Sequence, residues 1–264
     1  MTRLIYFTHR LLILTGLVGL LSRCTPAQYA RLQPISGPVA SLDGRLVTKA
    51  GADSVEIVAS YEREDMEFLA LDIEIKNRTA NAIEFNPANM QVTALDAKRQ
   101  PLTGSGGPSV RQAADPGYEA GRTEYKIKKE ERRLKTAKIL NTVALVAIVA
   151  SDIATSSSRS TNRDVQSWAS NRVTHDVAYN LIQAKRVIDH GVFADRMQRY
   201  QFEGYRWREL ALKRSMILPG ETVRGFVYIP KMAAATYLNL SYPSPSGTLI
   251  ELMFEQSFTK AKPQ

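Results

Sequence analysis

Cysteine is nearly absent from this chain, and its scarcity limits the chemistry that the protein can perform. Among 264 residues there is one cysteine, Cys24. A single cysteine cannot form an intrachain disulfide, and it leaves no cysteine-rich metal cluster and no thiol nucleophile in the folded body. Histidine is also scarce, because only His175 and His190 follow Cys24, in no zinc-binding spacing. The sequence therefore predicts no metal site and no cofactor.

Catalytic motifs are missing as well. The glycines at 104–107 lack the Lys-Ser/Thr ending of a phosphate-binding loop, and no serine elbow or serine, histidine and acid trio can be proposed from spacing. The acidic residues within 62–67 are interpreted as solvated rather than as calcium ligands. We therefore expect a protein that is not an enzyme. The alternative is a module that binds a glycan or small ligand through scattered residues.

The first 23 residues have the pattern of an export leader. Arg3 and Arg10 form a basic start, and an uncharged, mainly apolar run follows at 11–21. This run is shorter than the ~20 residues that a membrane-spanning helix needs. The leader ends in Leu21-Ser22-Arg23-Cys24, which resembles the lipobox of bacterial lipoproteins, with Arg23 where a small residue is usual.

The lipobox resemblance implies an address for the protein. Cys24 would be acylated and become the mature N-terminus, so the chain would be exported and anchored in membrane lipid of the bacterial cell envelope. We expect the outer membrane, with the protein facing the periplasm. Two or more acyl chains would hold it there stably, since one gives only marginal binding. The alternative is an uncleaved N-terminal anchor, which also leaves the body exported.

Two separate regions predict β structure. In 45–103, Leu69, Leu71, Ile73 and Ile75 alternate with smaller or polar residues, which is the period of a half-buried strand. In 205–258, strands are predicted at 223–229, 237–242 and 249–254, separated by turns rich in proline and glycine. Spacing of about 8–12 residues between turns is typical of an antiparallel sandwich.

The same two regions carry a family resemblance. The segments 71–79, 83–87 and 92–96 are similar to the middle of exported immunoglobulin-like domains of bacterial lipoproteins, and 218–230 is similar to their penultimate region. The resemblance covers under half of the chain. It implies an immunoglobulin-like antiparallel β-sandwich, and it carries over no active-site residue.

The region between the two β segments predicts a helical hairpin. No proline or glycine interrupts 122–155, which favours one long helix, and a Ser/Thr-rich connector follows at 151–162. A second helix is then indicated by an apolar stripe at intervals of three or four, which we expect to end at Gly191. The members of this stripe are Val165, Ala169, Val173, Val177, Leu181, Ala184 and Ile188.

We expect the two helices to pack through their apolar residues. The stripe of the second helix would lie against the face of the first that contains Ile139, Val143, Val146 and Ala150. The uncharged run at 139–151 is too short for a comfortable membrane span. An alternative function follows from the same run, in which it inserts in lipid or contacts other hairpins as part of a membrane-active or pore-associated component.

Positive charge is concentrated in the hairpin. The whole chain has a net charge of +9, and 122–214 alone holds 19 basic and 10 acidic residues. Such asymmetry indicates contact with an anionic surface or partner, or else a solvated helical surface. Aromatics and arginines interleave at 196–208, but export argues against nucleic acid, so ordinary packing is expected there. The candidate contact residues are Lys126, Lys128, Lys129, Arg132, Arg133 and Lys135.

These observations combine into one expected architecture and function. The fold is mainly β with an α insertion, an immunoglobulin-like sandwich interrupted by a long helical hairpin. The function is that of a non-enzymatic envelope lipoprotein that acts as an interaction or structural module, through membrane lipid and a protein partner in the envelope. The expected segments are a signal peptide at 1–23, a tether at 24–44, the first part of the sandwich at 45–121, the hairpin at 122–204, the second part at 205–258 and a tail at 259–264.

Overall fold

A computed structural model describes residues 28–42, 44–102, 109–157 and 162–260, with side chains outside the description at 152–157, 162–173 and 175. Cys24 and the predicted leader therefore lie outside the described residues. The chain divides into two compact units. One contains the β-sandwich and comprises the described residues within 28–84, 89–113 and 216–260. The other contains the helices and comprises 85–88 and 114–215.

Twelve strands are present among the described residues. Those before the hairpin are β1 (Tyr29–Pro34), β2 (Val39–Leu42), β3 (Arg45–Ala52), β4 (Val55–Asp65), β5 (Phe68–Asn77), β6 (Ile83–Phe85), β7 (Gln91–Leu95) and β8 (Val110–Gln112), with a short 3-10 turn at Pro87–Asn89. Those after it are β9 (Ser215–Ile217), β10 (Thr222–Pro230), β11 (Tyr237–Pro243) and β12 (Leu249–Thr259).

The sandwich consists of two five-stranded antiparallel sheets. Their strand orders are β1-β12-β11-β7-β8 and β10-β5-β4-β3-β2. Each sheet contains strands from before and after the hairpin, since β11 joins β7 to β12 and β10 lies beside β5. The prediction of an antiparallel sandwich that is interrupted by a helical hairpin is confirmed.

The core of the sandwich follows from the alternation that predicted the strands. Ile73 and Ile75 on β5 and Ile57 on β4 are at most 1% exposed, and Leu240 and Phe254 contribute from the other sheet. The alternation along β5 predicts a solvated position for Asp72, which is instead buried. It is 9% exposed and accepts two hydrogen bonds, at 2.9 and 2.6 Å, from Arg224 on the neighbouring strand β10.

The segment predicted to be a tether at 24–44 is folded where it is described. β1 pairs with β12 from Tyr29 opposite Thr259 to Pro34 opposite Phe254, and β2 pairs with β3. The prolines and Gly37 that indicated a tether mark the turn between these strands. Gly37 has a φ of +70°, and a Cβ there would lie 2.4 Å from the Lys49 carbonyl oxygen, so only glycine fits this turn.

The hairpin consists of α1 (Pro116–Ser157) and α2 (Asn162–Tyr205), followed by a π-helical turn at Arg206–Leu210. α1 begins six residues before the predicted boundary at 122. Asp115 caps it, because its Oδ1 accepts hydrogen bonds from the amides of Gly117 (2.8 Å) and Tyr118 (3.3 Å). Proline is favoured at the first helical position, so the chain from 116 belongs to the hairpin and not to the first part of the sandwich, which was predicted to extend to 121.

Two further expectations for the hairpin were wrong. α2 continues through Gly191 to Tyr205 rather than ending at the glycine. The expected apolar interface is not formed either, because Ile139, Val143 and Leu181 are 60–64% exposed, and the other described members of both stripes are exposed too. The side chains of Val165, Ala169 and Val173 lie outside the described residues.

A different stripe of α1 lies against α2. Its positions recur at intervals of three and four, which is the spacing of a helix–helix seam. The residues of this seam are partly or fully buried, and several are small or polar. They are Thr123, Ile127, Glu130, Leu134, Ala137, Asn141, Ala144 and Ile148.

Candidate interaction surface

Polar contacts between α1 and α2 hold the hairpin seam in register. Lys126 Nζ donates to Glu203 Oε2 at 2.9 Å, and Arg196 Nη1 donates to both carboxylate oxygens of Glu130 at 3.0 Å. These pairs place α1 and α2 antiparallel. Buried polar groups of this kind can fix the register of a helix pair, because a slip would leave them without partners.

A third polar contact lies further along the seam. Asn141 is 7% exposed, and its Nδ2 donates to Asp189 Oδ2 at 3.4 Å. Lys185 also donates to this carboxylate. The hydrogen bond from Lys185 is the main reason that the pKa of Asp189 lies below its usual value, and the Asn141 contact acts in the same direction. Asp189 is thus held in its charged form at neutral pH.

The six predicted contact residues fall into two groups. Three have ion-pair partners: Lys126 with Glu203, Lys128 with Glu124 at 2.6 Å, and Arg133 with Glu130 at 3.9 Å. The structure therefore places Lys126 in the seam of the hairpin. The other three are exposed and form no ion pair with any described residue; they are Lys129, Arg132 and Lys135.

The half of the hairpin nearer the connector between its helices exposes many aliphatic side chains. On α1, Leu140 and Val146 are 63% and 62% exposed, and on α2, Val187 is 74% exposed. One described helix, Pro116–Ser151, is long and apolar enough to cross a membrane by length and composition, and only 6% of its most apolar window is buried. Large exposed apolar patches mark sites of contact with proteins or membranes.

Nine of the exposed apolar side chains of the hairpin lie on one side of the seam and define a face, whereas others, such as Val146 and Val187, point away from it. Each residue advances the helix by about 100°. The number of residues that separates a position from a seam residue therefore tells on which side of the seam its side chain lies. Because α1 and α2 are antiparallel, the same rotation from the seam leads to the same face of the hairpin. This apolar face consists of Leu140, Val143, Ala147 and Ala150 on α1 and Val177, Leu181, Ala184, Ile188 and Val192 on α2, all exposed.

The reverse side of the hairpin is mixed in character. Its α2 half is polar, with Asp176, Gln183, Arg186 and His190. Its α1 half contains Lys138 and Thr142 together with Leu145 and Val149. The sequence predicts the α2 stripe of this face but places it inside the hairpin, against α1. An amphipathic pattern indicates that one side of a helix is apolar, but it does not identify the surface that covers this side.

Outside the hairpin, the described residues form no comparably distinctive candidate for a binding site. No group of three or more His, Cys, Asp and Glu side chains that could hold a metal occurs among the described residues. A groove on the sandwich is lined by Arg31, Arg45, Tyr61 and Glu62 among others. Three of these polar side chains are engaged with the protein itself, because Arg45 pairs with Glu62 and the Tyr61 hydroxyl donates to the Ala30 carbonyl at 2.6 Å.

The aromatic and arginine residues at 196–208 also serve packing. Trp207 is 2% exposed, and the Arg206 guanidinium lies 4.7 Å from the centre of its ring. This contact stabilises the guanidinium through the face of the ring, and the burial of Trp207 leaves its indole inaccessible to a base or sugar. The described side chains Phe202 and Tyr205 are about half exposed and lie apart from the apolar face in sequence.

Comparison with known proteins gives no relative from which a function could be transferred. No protein-family model matches the chain, and no curated protein is significantly similar to it. The lipobox and immunoglobulin-like resemblances therefore rest on the short segments that carry them. The function has to be argued from the chemistry and geometry of this chain alone, and the hairpin offers the most distinctive surface.

Proposed function

We propose that the protein is a non-enzymatic lipoprotein of the bacterial cell envelope and that its helical hairpin is an interaction surface. The observation that carries this proposal is the exposed apolar face of the hairpin. A face of nine aliphatic side chains costs free energy in water, at about 25 cal/mol for each Å² of apolar surface. A partner that covers the face removes this cost, whereas a catalytic role would not explain it.

Attachment through Cys24 is the second part of the proposal. The support is the leader at 1–23 and the position of the chain's one cysteine directly after it. We expect mass spectrometry of the mature protein to find an N-terminal Cys24 that carries a diacylglycerol and an amide-linked fatty acid, and Cys24→Ala to retain its leader. An unmodified Cys24 within an uncleaved leader would contradict this attachment, with Arg23 as its cause.

The interaction surface can be tested by accessibility in isolated envelopes. Ala184 lies on the apolar face, and the adjacent Gln183 lies on the reverse side at the same level of α2, so Ala184→Cys and Gln183→Cys are matched variants. We expect a water-soluble maleimide to label the cysteine at 183 readily and the cysteine at 184 slowly, because a partner covers it. The parent chain gives the background, since an acylated Cys24 does not react.

The outcome that would overturn the proposal is equal labelling at the two positions. The apolar face would then be open to water in the envelope, and nothing would cover it. Denatured samples of both variants provide the reference for full labelling, so a difference in the intrinsic reactivity of the two thiols is measured separately.

Insertion of the hairpin into lipid is the second candidate function. The length and composition of the apolar part of α1 favour it. The opposing helix argues against it, because Lys185, Arg186 and Asp189 lie at the level of that apolar part. Charged side chains at the centre of a bilayer cost about 2.5–3.5 kcal/mol each by insertion scales. The exposed Lys129, Arg132 and Lys135 would suit contact with anionic headgroups in either case.

A further inference from the structure

The relative levels of the apolar side chains on α1 and α2 indicate which kind of partner the apolar face can bind. The polar pairs of the seam fix the levels of the two helices: Asn141 is opposite Asp189 and Glu130 is opposite Arg196. Continuing this register from Asn141 and Asp189 along both helices brings Leu145 level with Lys185. The apolar stripes of α1 and α2 therefore lie side by side and cover the same stretch of the hairpin.

Large and small side chains are arranged symmetrically along the α1 stripe. Leu140 and Val143 lie on one side of position 145, and Ala147 and Ala150 lie at the same distances on the other. If a second α1 ran antiparallel across this face, Leu140 would meet Ala150 and Val143 would meet Ala147. Alternation of large and small residues across facing positions is what lets helix layers interdigitate.

The α2 stripe has the same centre. A two-fold axis level with position 145 of α1 passes α2 between Ala184 and Lys185. This axis sets Val177 opposite Val192 and Leu181 opposite Ile188 of a second copy. The stripes of both helices are thus centred on one axis, with large side chains facing small ones on α1 and aliphatic side chains facing each other on α2. A surface that complements itself about a two-fold axis is the defining property of an isologous dimer interface.

We infer that the apolar face binds the same face of a second copy of this chain, so that two hairpins form an antiparallel four-helix bundle. This inference rests on the proposed function and names the partner. Helices in such bundles lie 8–10 Å apart and pack through stripes with intervals of three and four, as found here. The charge of Lys185, which lies beside the axis, is paired with Asp189 of its own hairpin.

The size of the face fits this assignment. A stretch of about 13 residues on two adjacent helices measures roughly 20 by 20 Å, or about 400 Å². A stable interface buries about 800 Å² per partner, with an apolar core and a polar rim. The apolar face has the size of such a core. It is less suited to a lipid surface, because its nine residues include none of the Trp or Phe side chains that interfacial helices carry.

Cross-linking of the full-length protein in intact envelopes tests the inference. Ala184→Cys places a thiol beside the axis, close to its own counterpart, and Gln183→Cys is the matched control on the reverse side. With a short bifunctional maleimide we expect a product of twice the chain mass from the cysteine at 184 and at least tenfold less from the cysteine at 183. Coexpression with a tagged copy shows that both halves of the product are this chain.

Charge exchange tests the predicted register. In the chain with Ala184→Cys, Leu181→Glu should reduce the dimer several-fold, because two carboxylates would enter the interface. Adding Ile188→Lys should restore it, because the axis sets each introduced lysine opposite an introduced glutamate of the other copy. Circular dichroism of each variant shows whether the hairpin is folded, so that loss of dimer is not confused with loss of helix.

The possible results separate this inference from the proposed function. If the cysteine at 184 is protected from maleimide but forms no dimer, or is cross-linked to a chain of another mass or to lipid, the second copy is the wrong partner while the interaction surface stands. If it is labelled freely, both fail. A dimer that Ile188→Lys does not restore would overturn the two-fold arrangement.

Discussion

Asn77 is the residue that joins the two halves of the sandwich most directly. It is 1% exposed, and its Nδ2 donates to the carbonyl oxygens of Asn81 at 2.8 Å and Ile217 at 2.9 Å. Its Oδ1 accepts from the amide and the hydroxyl of Thr79 at 2.9 and 2.7 Å. Since Ile217 follows the hairpin in the chain, one buried amide connects strands from the two β segments.

We expect Asn77→Ala to lower the free energy of unfolding by about 2–3 kcal/mol. The substitution leaves the buried carbonyl of Ile217 without this donor and removes the side chain that Thr79 binds, and a buried group left without its partner costs about 1–3 kcal/mol. Urea unfolding followed by fluorescence measures the change. Asn81→Ala is the control, because it removes an exposed side chain and keeps the carbonyl that Asn77 binds. If both variants lost a similar amount of stability, the hydrogen bond from Asn77 to Ile217 would contribute nothing beyond what any residue of this turn contributes.

Single residues also explain where the sequence was informative and where it was not. The segment 76–81 has residue types that favour a turn, and Asn77 and Thr79 form this turn through their side chains. The start of α1 was missed, although Asp115 and Pro116 have the types of a helix cap and a first helical residue. Gly117 and Gly121 outweighed them in the prediction, and only the tertiary context shows that a 42-residue helix tolerates both.

The hairpin shows why an amphipathic pattern can predict a helix and still misplace it. α1 has two stripes with intervals of three and four, and the more apolar one was expected to face α2. The seam instead uses Glu130 and Asn141, whose partners Arg196 and Asp189 lie at matching levels of α2. Such pairing of polar side chains is not visible in a hydrophobic pattern, because it depends on the register of two segments far apart in sequence.

Two adjacent residues of α1 can distinguish the seam from the outer surface. Ile148 is a partly buried seam residue, whereas Val149 is 52% exposed on the reverse side. We expect Ile148→Asp to destabilise the hairpin by about 1–3 kcal/mol, since it brings an unpaired carboxylate into the helix–helix contact. Val149→Asp should have little effect. The loss of helical circular dichroism signal on heating measures both.

The reverse order of stability would contradict the observed seam. If Val149→Asp melted at the lower temperature, the side of α1 that contains Val149 would be packing against α2 in place of the side that contains Ile148. Ile148→Val separates the effect of charge from that of volume, and a loss of no more than about 0.5–1.5 kcal/mol is expected for it.

The molecule as a whole is one sandwich whose chain is interrupted, and this organisation could be predicted from the sequence. Strand alternation in 45–103 and 205–258 was sufficient, because neither segment has enough apolar strands to form two covered sheets. The first two strands could not be predicted with the same ease. Ala30 and Leu32 alternate in β1 and are buried, but Pro34, Gly37 and Pro38 made the segment resemble a tether.

Replacing the hairpin with a flexible linker tests the interrupted sandwich. We expect residues 28–113 and 216–260, joined by a glycine and serine linker, to unfold in one cooperative transition in urea. All five strands of both sheets are then present, including β11 and β12, which join β1 to β7 in one sheet. Residues 28–113 alone should show no cooperative transition, because β1 loses β12, the strand with which it pairs, and β5 loses β10 and becomes the edge of its sheet.

The comparison between these two chains is decisive because the hairpin is missing from both. A cooperative transition in residues 28–113 alone would mean that the strands after the hairpin are additions to a complete domain. If neither chain unfolds cooperatively, the sandwich depends on the hairpin for its stability. The strand order predicts a cooperative transition in the linked chain only. The slope of its unfolding free energy against urea should be that of a complete sandwich, because this slope scales with the surface exposed on unfolding.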